Sequence, residues 1–305
     1  MLRKLLSLIS MSLFFGCTIT GNIVKEPSFG YDVYFCPEHN CLEITKSLIE
    51  TAEMLDCAFY SIDPALVNLM KNTRLVVDSN SKINASFVRK GSPSRLMHNK
   101  FCVINRTTVL TGSFNPTKRA VNDKNNILLV KSAYLAGNYE DEFEELWKGA
   151  FNKGKETRHK TIYLNNSRVN NYFCPEDGCA EKVADEIQKA GESIFFLAYS
   201  FTHKGIADSL LEKKGVEIKG VFSRDEKYSQ YGRLKNNSVD VRLYTGKGLM
   251  HSKVFIIDRK TIITGSFNPT NNADKSNDEN LLIIKNRDIA GLYLREFEDI
   301  YQQSR

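Results

Sequence analysis

Short apolar runs alternate with segments of helical periodicity along most of this 305-residue chain. The run SIFFLAYS at 193–200 is continuously apolar, as expected for a central strand that is covered on both faces. Just before it, Val183, Ile187 and Ala190 follow one face of a predicted helix. VEIKGVFS, VDVRLYT, HSKVFIID, TIITG and LLIIK predict further strands, and residues 288–303 predict a closing amphipathic helix. This alternation predicts an α/β sandwich with helices on both sheet faces.

The same order of elements occurs twice along the chain. YFCPE stands at 34–38 and again at 172–176, and LLVKSAYLAGNYEDEFEEL (128–146) matches LLIIKNRDIAGLYLREFEDI (281–300). Internal similarity of this kind is the usual sequence signature of a repeated structural unit. We therefore expect two similar α/β halves that pack as a pseudo-dimer within a monomeric chain.

The N-terminus has the pattern of an export signal. MLRK is followed by the apolar run LLSLISMSLFFG, which is too short to span a bilayer comfortably, and then by Cys17. Gly16 followed by Cys17 resembles the lipobox of bacterial and archaeal lipoproteins, which implies a lipidated Cys17 and membrane attachment; an uncleaved anchor is the alternative. We expect an exported protein, either a membrane-anchored lipoprotein or a periplasmic or extracellular protein. The predicted divisions are a signal peptide at 1–16, a linker at 17–30, and two similar halves at 31–155 and 156–305.

The cysteines agree with export, because two of their spacings are identical. CPEHNC and CPEDGC each separate two cysteines by four residues, which predicts two short disulfides in an oxidising compartment. A four-thiolate zinc site is the alternative, although zinc ribbons prefer a two-residue spacing. Two further cysteines lie in apolar, strand-like runs and are expected to be buried, inert thiols. The predicted disulfides are Cys36–Cys41 and Cys174–Cys179, and the predicted inert thiols are Cys57 and Cys102.

The chain carries one polar motif twice. LMHNKFCVIN (96–105) precedes GSFNPT (112–117), and LMHSKVFIID (249–258) precedes GSFNPT (265–270) at the same distance. In each copy the histidine and lysine are two residues apart, so strand periodicity places them on one sheet face. The GSFN turn after the next strand can bring a hydroxyl, an amide and a close backbone approach to the same place.

These residue types suit a phosphodiester. An imidazole attacks phosphorus or protonates the leaving oxygen, while an ammonium group and neutral donors hold the non-bridging oxygens. Because two copies are present, two histidines can flank one phosphate in line. The candidate catalytic residues are His98, Lys100, Ser113 and Asn115 in the first copy, and His251, Lys253, Ser266 and Asn268 in the second.

The pattern H-x-K-x4-D-x6-G-S-x-N resembles the signature of the phospholipase D superfamily, and its duplication resembles the bilobal members. The resemblance covers nearly all of residues 31–305 and implies a metal-independent phosphodiester hydrolase without a cofactor. It further implies a phosphohistidine intermediate at the interface of the two halves. The second half looks most like the small endonuclease and cardiolipin-hydrolase-like branch. That branch carries a glutamate eleven residues after the motif asparagine, where Glu279 stands as a further candidate catalytic residue.

The first copy replaces two acids by amides. Asn105 stands where the second copy has Asp258, a position that the resemblance assigns to support of the local fold. Asn125 aligns with Glu279 once a one-residue gap is allowed. We expect Asn125 to support His98 and Glu279 to support His251, so that each histidine is supported from its own half.

The two halves are then expected to differ in role. A carboxylate bonded to imidazole raises the pKa of the ring and favours the charged form that a general acid needs. We therefore expect His251, supported by Glu279, to be the general acid and His98 to be the nucleophile. Bilobal relatives, in which the N-terminal histidine is the nucleophile, imply the same assignment.

The substrate beyond the phosphodiester stays open between phospholipid and DNA or RNA. The formal charge of +6 is a mild bias toward anionic partners. Lys118, Arg119 and Lys275 are candidate phosphate contacts for nucleic acid, whereas predicted membrane attachment favours lipid. Against lipid, the chain lacks long apolar insertions near the motifs that could form an acyl-chain groove. The alternatives are a nonspecific secreted endonuclease and a catalytically weakened protein that binds nucleic acid or lipid.

Overall fold

The structure is a computed structural model that describes residues 23–28 and 30–305. The predicted signal peptide at 1–16 and the predicted lipidation of Cys17 lie outside the described residues. In the part of the chain that it describes, no helix combines the length and the hydropathy that a bilayer-spanning segment needs.

The first half forms one seven-stranded sheet with helices on both faces. Its elements, preceded by a short strand β1 (Ile23–Glu26), are β2 (Gly30–Cys36), α1 (Cys41–Thr51), β3 (Leu55–Phe59), α2 (Pro64–Val67), β4 (Thr73–Val77), β5 (Val88–Lys90), β6 (Lys100–Ile104), β7 (Thr108–Gly112), a 3-10 helix (Lys118–Asn122), β8 (Asn125–Lys131) and α3 (Ala133–Lys148).

The second half repeats this arrangement with two extra strands at one edge. Its elements are β9 (Thr161–Leu164), β10 (Ser167–Cys174), α4 (Cys179–Gln188), β11 (Ser193–Ala198), α5 (Lys204–Leu211), β12 (Glu217–Phe222), α6 (Tyr231–Asn236), β13 (Asp240–Leu243), β14 (Lys253–Ile257), β15 (Thr261–Gly265), α7 (Asn271–Lys275), β16 (Glu279–Lys285) and α8 (Arg287–Gln302).

The strand order is the same in both sheets. It is β2-β8-β7-β6-β3-β4-β5 in the first half and β10-β16-β15-β14-β11-β12-β13 in the second. In each sheet the last three strands of this order run parallel, and the remaining neighbours run antiparallel. The predicted α/β pseudo-dimer is thereby confirmed.

The linker predicted at 17–30 is not merely a connection. Its residues Ile23–Glu26 form β1, which pairs in parallel register with β9 at the edge of the second sheet. A segment that precedes the first half in sequence therefore extends the sheet of the second half. The alternation of Val24 and Glu26 with exposed neighbours is too short a pattern to predict this pairing.

The last helix of each half lies between the two sheets. The ring of Tyr139 in α3 lies 4.9 Å from that of Phe101 in β6 and 5.0 Å from that of Phe173 in β10. In the matching place, Tyr293 of α8 lies 5.1 Å from Phe35 of β2. One hydrophobic core is thus shared by both halves, while α1 and α2 cover the outer face of one sheet and α4, α5 and α6 that of the other.

The sequence positions these two helices in the same way. Ser132 and Asn286 accept the backbone N–H groups of Leu135 and Ile289, so each helix begins at a side-chain cap. Apolar side chains three or four residues apart then form one buried face along each helix. These are Leu135, Tyr139, Phe143 and Leu146 in α3, and Ile289, Tyr293, Phe297 and Ile300 in α8.

Three disulfides are present among the described cysteines. Cys36–Cys41 and Cys174–Cys179 are confirmed, each with a Cα–Cα distance of 5.8 Å, so the zinc alternative is wrong. The expectation of two inert thiols is also wrong, because Cys57 and Cys102 are bonded to each other. These two cysteines lie directly opposite on β3 and β6, a register that the sequence did not reveal.

The second half fills the same cross-strand position differently. Phe196 and Phe255 lie directly opposite on β11 and β14, and their rings stack with centroids 5.6 Å apart. Two residues after the motif lysine, the first half therefore has a covalent cross-strand link where the second half has an aromatic pair.

Backbone pairing joins the two halves beside both motifs. Met97 forms an isolated parallel bridge with Asp278, and Lys124 forms the matching bridge with Met250. The N–H of His98 donates to the carbonyl of Asp278 at 3.0 Å, and that of His251 donates to the carbonyl of Lys124 at 2.8 Å. Each histidine therefore has its backbone held by the opposite half.

The side chains of these two matched residues differ in charge. Lys124 is buried and forms ion pairs with Glu38 and, at 4.0 Å, with Glu296. At the matching place Asp278 accepts the N–H of Asn152 at 2.5 Å and faces the carboxyls of Asp78, Glu142, Glu176 and Glu279. Burial, followed by repulsion from the neighbouring acids, raises the pKa of Asp278 to about 8.

This acidic cluster predicts a pH-dependent loss of stability. The raised pKa means that the folded state binds a proton that the unfolded state releases, so stability falls as pH rises from about 4 toward 8. We expect Asp278→Asn to match the wild type near pH 4 and to be more stable at pH 8 by ~1–3 kcal/mol. Urea unfolding across this range measures the difference, with the exposed Asp225→Asn as a control. A difference that is constant with pH would contradict the prediction.

The unexpected disulfide predicts a stability difference between two cysteine pairs. Cys57 and Cys102 close a loop with a sequence separation of 45, whereas Cys36 and Cys41 close one of only 5. Cross-linking a longer loop restricts the unfolded chain more, so we expect the double Cys57→Ala, Cys102→Ala variant to lose about 2–4 kcal/mol. The double Cys36→Ala, Cys41→Ala variant should lose less. Chemical unfolding under oxidising conditions compares them, and equal losses would count against the prediction.

Candidate active site

The two motif copies meet where the halves touch. Lys100 begins β6 and Lys253 begins β14, and each histidine lies two residues before its lysine. His98, Lys100 and Lys253 are buried, while His251 is half-buried. The positive charge of the lysine in the opposite half lowers the pKa of each histidine. The histidine and lysine of one copy therefore lie close to those of the other.

The GSFN turns are pressed against the next strand. Gly112 and Gly265 have φ angles of +139° and +141°, a region that favours glycine. A Cβ atom on either glycine would collide with the carbonyl oxygen of Asn126 or Asn280. Glycine is therefore required for the turn to approach the strand that carries the histidine's partner.

Each histidine is supported by a side chain from the opposite half. Nδ1 of His98 donates to Oε2 of Glu279 at 2.8 Å, and Nδ1 of His251 donates to Oδ1 of Asn125 at 2.9 Å. The expectation that Glu279 supports His251 is therefore wrong. The repeat alone suggests pairing within one half, but the bridges between the halves bring β16 to the first histidine and β8 to the second.

The hydroxyls of the two motif serines donate to the side chains that support the histidines. Oγ of Ser266 donates to Oε2 of Glu279 at 2.6 Å and accepts the N–H of Asn280. Oγ of Ser113 donates to Oδ1 of Asn125 at 3.0 Å in the same way. Both serines are fully buried, so the expectation that their hydroxyls hold non-bridging oxygens is wrong.

Both histidines are held neutral in the unliganded protein, but to different degrees. Burial lowers the pKa of His98, while the negative charge of Glu279 opposes the effect. Burial lowers the pKa of His251 well below its ordinary value, and Lys253 and Lys100 lower it further. Only His98 has a carboxylate to compensate, because Asn125 offers an uncharged oxygen.

The lysines complete a cationic cluster. Nζ of Lys100 donates to the carbonyl of His98 at 2.7 Å, and Nζ of Lys253 donates to that of His251 at 2.6 Å. Burial lowers the pKa of Lys100 to about 7 and that of Lys253 well below its ordinary value. A phosphate anion would favour the charged form of each lysine, so the arrangement is poised to bind an anion together with protons.

The motif asparagines have free amide capacity. The Oδ1 atoms of Asn115 and Asn268 are buried and have no hydrogen-bond partner among the described residues. Each asparagine is the last residue of its GSFN turn and lies 17 residues after the motif histidine of the same copy. They are therefore available to orient a bound group with an amide.

Two tyrosines that are not part of the repeated motif also lie beside the histidines. The ring of Tyr60 lies 5.1 Å from that of His98, and the ring of Tyr199 lies 4.5 Å from that of His251. Nζ of Lys100 lies 5.3 Å from the Tyr60 ring, and Nζ of Lys253 lies 4.8 Å from the Tyr199 ring. The signal was available, because FYS at 59–61 and AYS at 198–200 follow matching apolar strands.

The remaining motif position lies outside the site. Asp258 accepts the N–H groups of Gly191, Glu192 and Ser193 through Oδ1 at 2.8–3.1 Å. Asn105 does the same for two N–H groups, at 3.0 Å each, with its amide oxygen. An amide can replace the acid here because the task is to accept backbone hydrogen bonds.

The candidate nucleic-acid contacts are not drawn into the site. Lys118 and Arg119 are exposed on the 3-10 helix, and Lys275 pairs with Asp274 at 2.8 Å. Within residues 23–28 and 30–305, no group of three or more His, Cys, Asp and Glu side chains is placed to hold a metal ion.

Comparison with known proteins agrees with this site. The family described as "Cardiolipin synthase, PLD-like domain" matches residues 44–147 and 183–301, one segment in each half. The phospholipase D of Rickettsia prowazekii is 37% identical over 139 residues, covering 44% of this chain and 68% of the relative. The human mitochondrial cardiolipin hydrolase is 36% identical over 118 residues, covering 38% of this chain and 47% of the relative.

A solved structure shows the same fold over most of the chain. The phosphatidylserine synthase of Haemophilus influenzae superimposes with a TM-score of 0.68 at 12% identity, covering 90% of this chain and 87% of that one. The paired histidines, their lysines and the matching family segments in both halves lead to one conclusion. The chain belongs to the PLD-like family and is a phosphodiesterase.

Proposed function

We propose that the protein hydrolyses phosphodiesters of lipid or nucleic acid through a covalent phosphohistidine on His98. The contact between Nδ1 of His98 and Glu279 carries the proposal. The carboxylate keeps the proton on Nδ1, which leaves the lone pair of Nε2 free to attack. It also stabilises the positive charge that the ring gains once its Nε2 is bonded to phosphorus.

The reaction then runs in two steps. Nε2 of His98 forms a bond to phosphorus, the bond to the leaving oxygen breaks, and His251 as imidazolium gives that oxygen its proton. A water then attacks phosphorus while neutral His251 takes its proton, and the bond to His98 breaks. The products are an alcohol and a phosphomonoester, and the lysines and motif asparagines hold the non-bridging oxygens throughout.

The proposed roles of His98 and His251 are those expected from the sequence, but the reason differs, because Glu279 supports His98 and not His251. Without a carboxylate, the charged form of His251 is a stronger acid and releases its proton more readily. The cost is that His251 is protonated only at lower pH or when a phosphate anion lies beside it.

We also propose that the protein is exported and attached to a membrane through Cys17, and that it acts as a monomer. Three disulfides in the described part of the chain support an oxidising compartment. The catalytic set needs no second copy, because both motif halves come from one chain.

Trapping the covalent intermediate tests the first step. With bis(p-nitrophenyl) phosphate and excess EDTA, the leaving group departs without needing a proton, so we expect His251→Ala to release one equivalent of p-nitrophenol rapidly. Turnover should then stall, because no base activates the water. An alkaline quench and peptide mass spectrometry should place the phosphoryl group on His98. His98→Ala should give neither burst nor label.

A label on His251 in the wild type would contradict the assignment of roles. Loss of wild-type turnover in EDTA would contradict the absence of a metal from the mechanism. No turnover and no label in the wild type would favour a protein that only binds its ligand.

Restoring the missing acid tests the role of Asn125. In Asn125→Asp the new carboxylate raises the pKa of His251, so its imidazolium form persists to higher pH. For a diester with a poor alkoxide leaving group, we expect the basic limb of kcat to move up by about one pH unit or more. Asn105→Asp restores the other missing acid away from the site and should leave the profile unchanged. The same shift in both variants would argue against the prediction.

A further inference from the structure

The two tyrosines of the site occupy equivalent positions in the two halves. Tyr60 follows β3 and Tyr199 follows β11. The backbone N–H of each tyrosine donates to the carbonyl of the residue between the motif histidine and lysine, which is Asn99 at 2.9 Å in one half and Ser252 at 3.1 Å in the other. Differences in what surrounds the two tyrosines are therefore differences between the two ends of the site.

The neighbouring strand ends with unlike residues in the two halves. β4 pairs with β3 in the same register as β12 pairs with β11, so Asp78 after β4 corresponds to Ser223 after β12. One residue further on, Ser79 corresponds to Arg224. At this position the first half therefore carries an acid and the second half a guanidinium.

The acid of the first half is buried and held beside Tyr60. Oδ1 of Asp78 accepts the backbone N–H and the amide of Asn80 at 3.0 and 2.9 Å, and Oδ2 accepts the N–H of Met97 at 3.2 Å. Burial and then the negative charge of Asp78 raise the pKa of Tyr60. An additional anionic group of a substrate would be repelled at this end of the site.

The guanidinium of the second half is directed at Tyr199. Nη2 of Arg224 donates to the hydroxyl of Tyr199 at 3.1 Å, and Nε of Arg224 pairs with Glu226 at 2.7 Å. The ring of Tyr199 lies 4.5 Å from that of His251 and 4.8 Å from Nζ of Lys253. A single aromatic ring therefore separates the guanidinium from the motif histidine.

The loop that carries Arg224 is anchored at both ends. The N–H of Ser223 donates to the carbonyl of Ala198 at 3.0 Å, and the N–H of Gln230 donates to that of Phe201 at 2.8 Å. Both acceptors belong to the segment that ends β11 and follows it. The loop is thus fixed against the same segment that holds the second tyrosine.

The guanidinium keeps donors for a ligand. An arginine has five N–H groups, and the contacts with Tyr199 and Glu226 involve Nη2 and Nε, so the two N–H groups of Nη1 can still serve an anion. The side chain of Arg224 is 52% exposed, and its planar fork matches a carboxylate or a phosphate. Glu226 offsets part of the charge, so the selectivity that Arg224 can supply is moderate.

In the proposed mechanism the leaving alcohol lies on this side of the site. His98 attacks phosphorus, and in-line displacement places the leaving oxygen at the opposite end, where His251 gives it a proton. The atoms attached to that oxygen then lie toward Tyr199 and Arg224, which are the next groups beyond the imidazole.

We propose that Arg224, oriented by Tyr199, determines which leaving alcohols the enzyme prefers by binding an anionic group that the alcohol carries. The favoured substrate is a phosphodiester whose leaving alcohol bears a second phosphate or a carboxylate. The inference rests on the proposed function, because the direction of departure follows from the roles of His98 and His251. Neither Arg224 nor Tyr199 belongs to the repeated motif.

Two matched chromogenic diesters test the proposal. Methyl m-carboxy-p-nitrophenyl phosphate and its m-carbamoyl analogue release coloured phenols of nearly the same shape that differ by one charge. The ratio of kcat/KM for the charged diester to that for the neutral one is compared between enzyme variants, so the intrinsic reactivity of each diester cancels. In Arg224→Gln we expect this ratio to fall by about threefold to tenfold, because a charge-assisted hydrogen bond is lost.

Further variants separate the charge from other effects of substitution. Arg224→Lys keeps the charge and should retain part of the preference, whereas Arg224→Glu should lower the ratio below that of Arg224→Gln. Arg259→Gln is the matched control, because Arg259 is also exposed and paired with a glutamate, Glu217, but follows β14 at the end opposite Lys253. It should leave the ratio unchanged. Thermal melting of each variant checks folding.

A second pair of diesters moves the charge to the retained group. Carboxymethyl p-nitrophenyl phosphate and its carbamoylmethyl analogue both release p-nitrophenol, and we expect Arg224→Gln to leave their ratio unchanged. A fall of only this second ratio, equal falls of both ratios, or no fall of the first ratio would overturn the proposal. Absence of turnover of every diester by the wild type would instead overturn the proposed function itself.

Lipid and nucleic acid can both supply a leaving alcohol with a second phosphate. One matched pair is phosphatidylglycerol with and without a phosphate on its terminal hydroxyl, in mixed micelles, and the other is a thymidine dinucleotide with and without terminal phosphates. The pair whose preference for the extra phosphate falls in Arg224→Gln identifies the source. A fall in neither pair would overturn the role of Arg224 in substrate selection.

Discussion

Pairing between the halves is the constraint on which the active site depends. The bridges of Met97 with Asp278 and of Lys124 with Met250 fix the backbone of each histidine against the opposite half. They also deliver the support of each imidazole across the interface, from Glu279 to one ring and from Asn125 to the other. A single half therefore holds a histidine and a lysine but not the group that sets the ring's tautomer, so each imidazole has its support only when both halves are in register.

The pseudo-symmetry of the backbone makes the chemical differences meaningful. Equivalent strands place equivalent atoms, yet an amide replaces a carboxylate at one ring, and one bridge carries Lys124 where the other carries Asp278. Likewise, the first half has a cross-strand disulfide at the position where the second half has a stacked phenylalanine pair. Because the geometry is shared, each substitution changes charge or cross-linking without moving the site. In the proposed mechanism, His98 gains a positive charge that Glu279 stabilises, while His251 beside the uncharged Asn125 gives up a proton.

Periodicity and repetition predicted the sheets, the closing helices and the motif residues, because those features depend on neighbours in sequence. Contacts across the interface could not be predicted in this way, because they join residues that are far apart in sequence. Glu279 lies thirteen residues after Ser266 and bonds it, yet its other partner, His98, lies 181 residues away. Cys57 and Cys102 reveal their bond only once β3 and β6 are in register. Tyr60 and Tyr199 carried a repeat signal, but one short enough to pass for strand residues.

By itself the sequence determined the α/β class, the duplication and the histidine, lysine and asparagine residues of a phosphodiesterase, since these follow from local pattern and residue chemistry. Only the tertiary structure decided which support each histidine receives and that the motif serines hydrogen-bond those supports. The physical reason is that pKa, tautomer and shape depend on burial and on atoms a few ångströms away. Those atoms come from distant parts of the chain, and packing alone selects them.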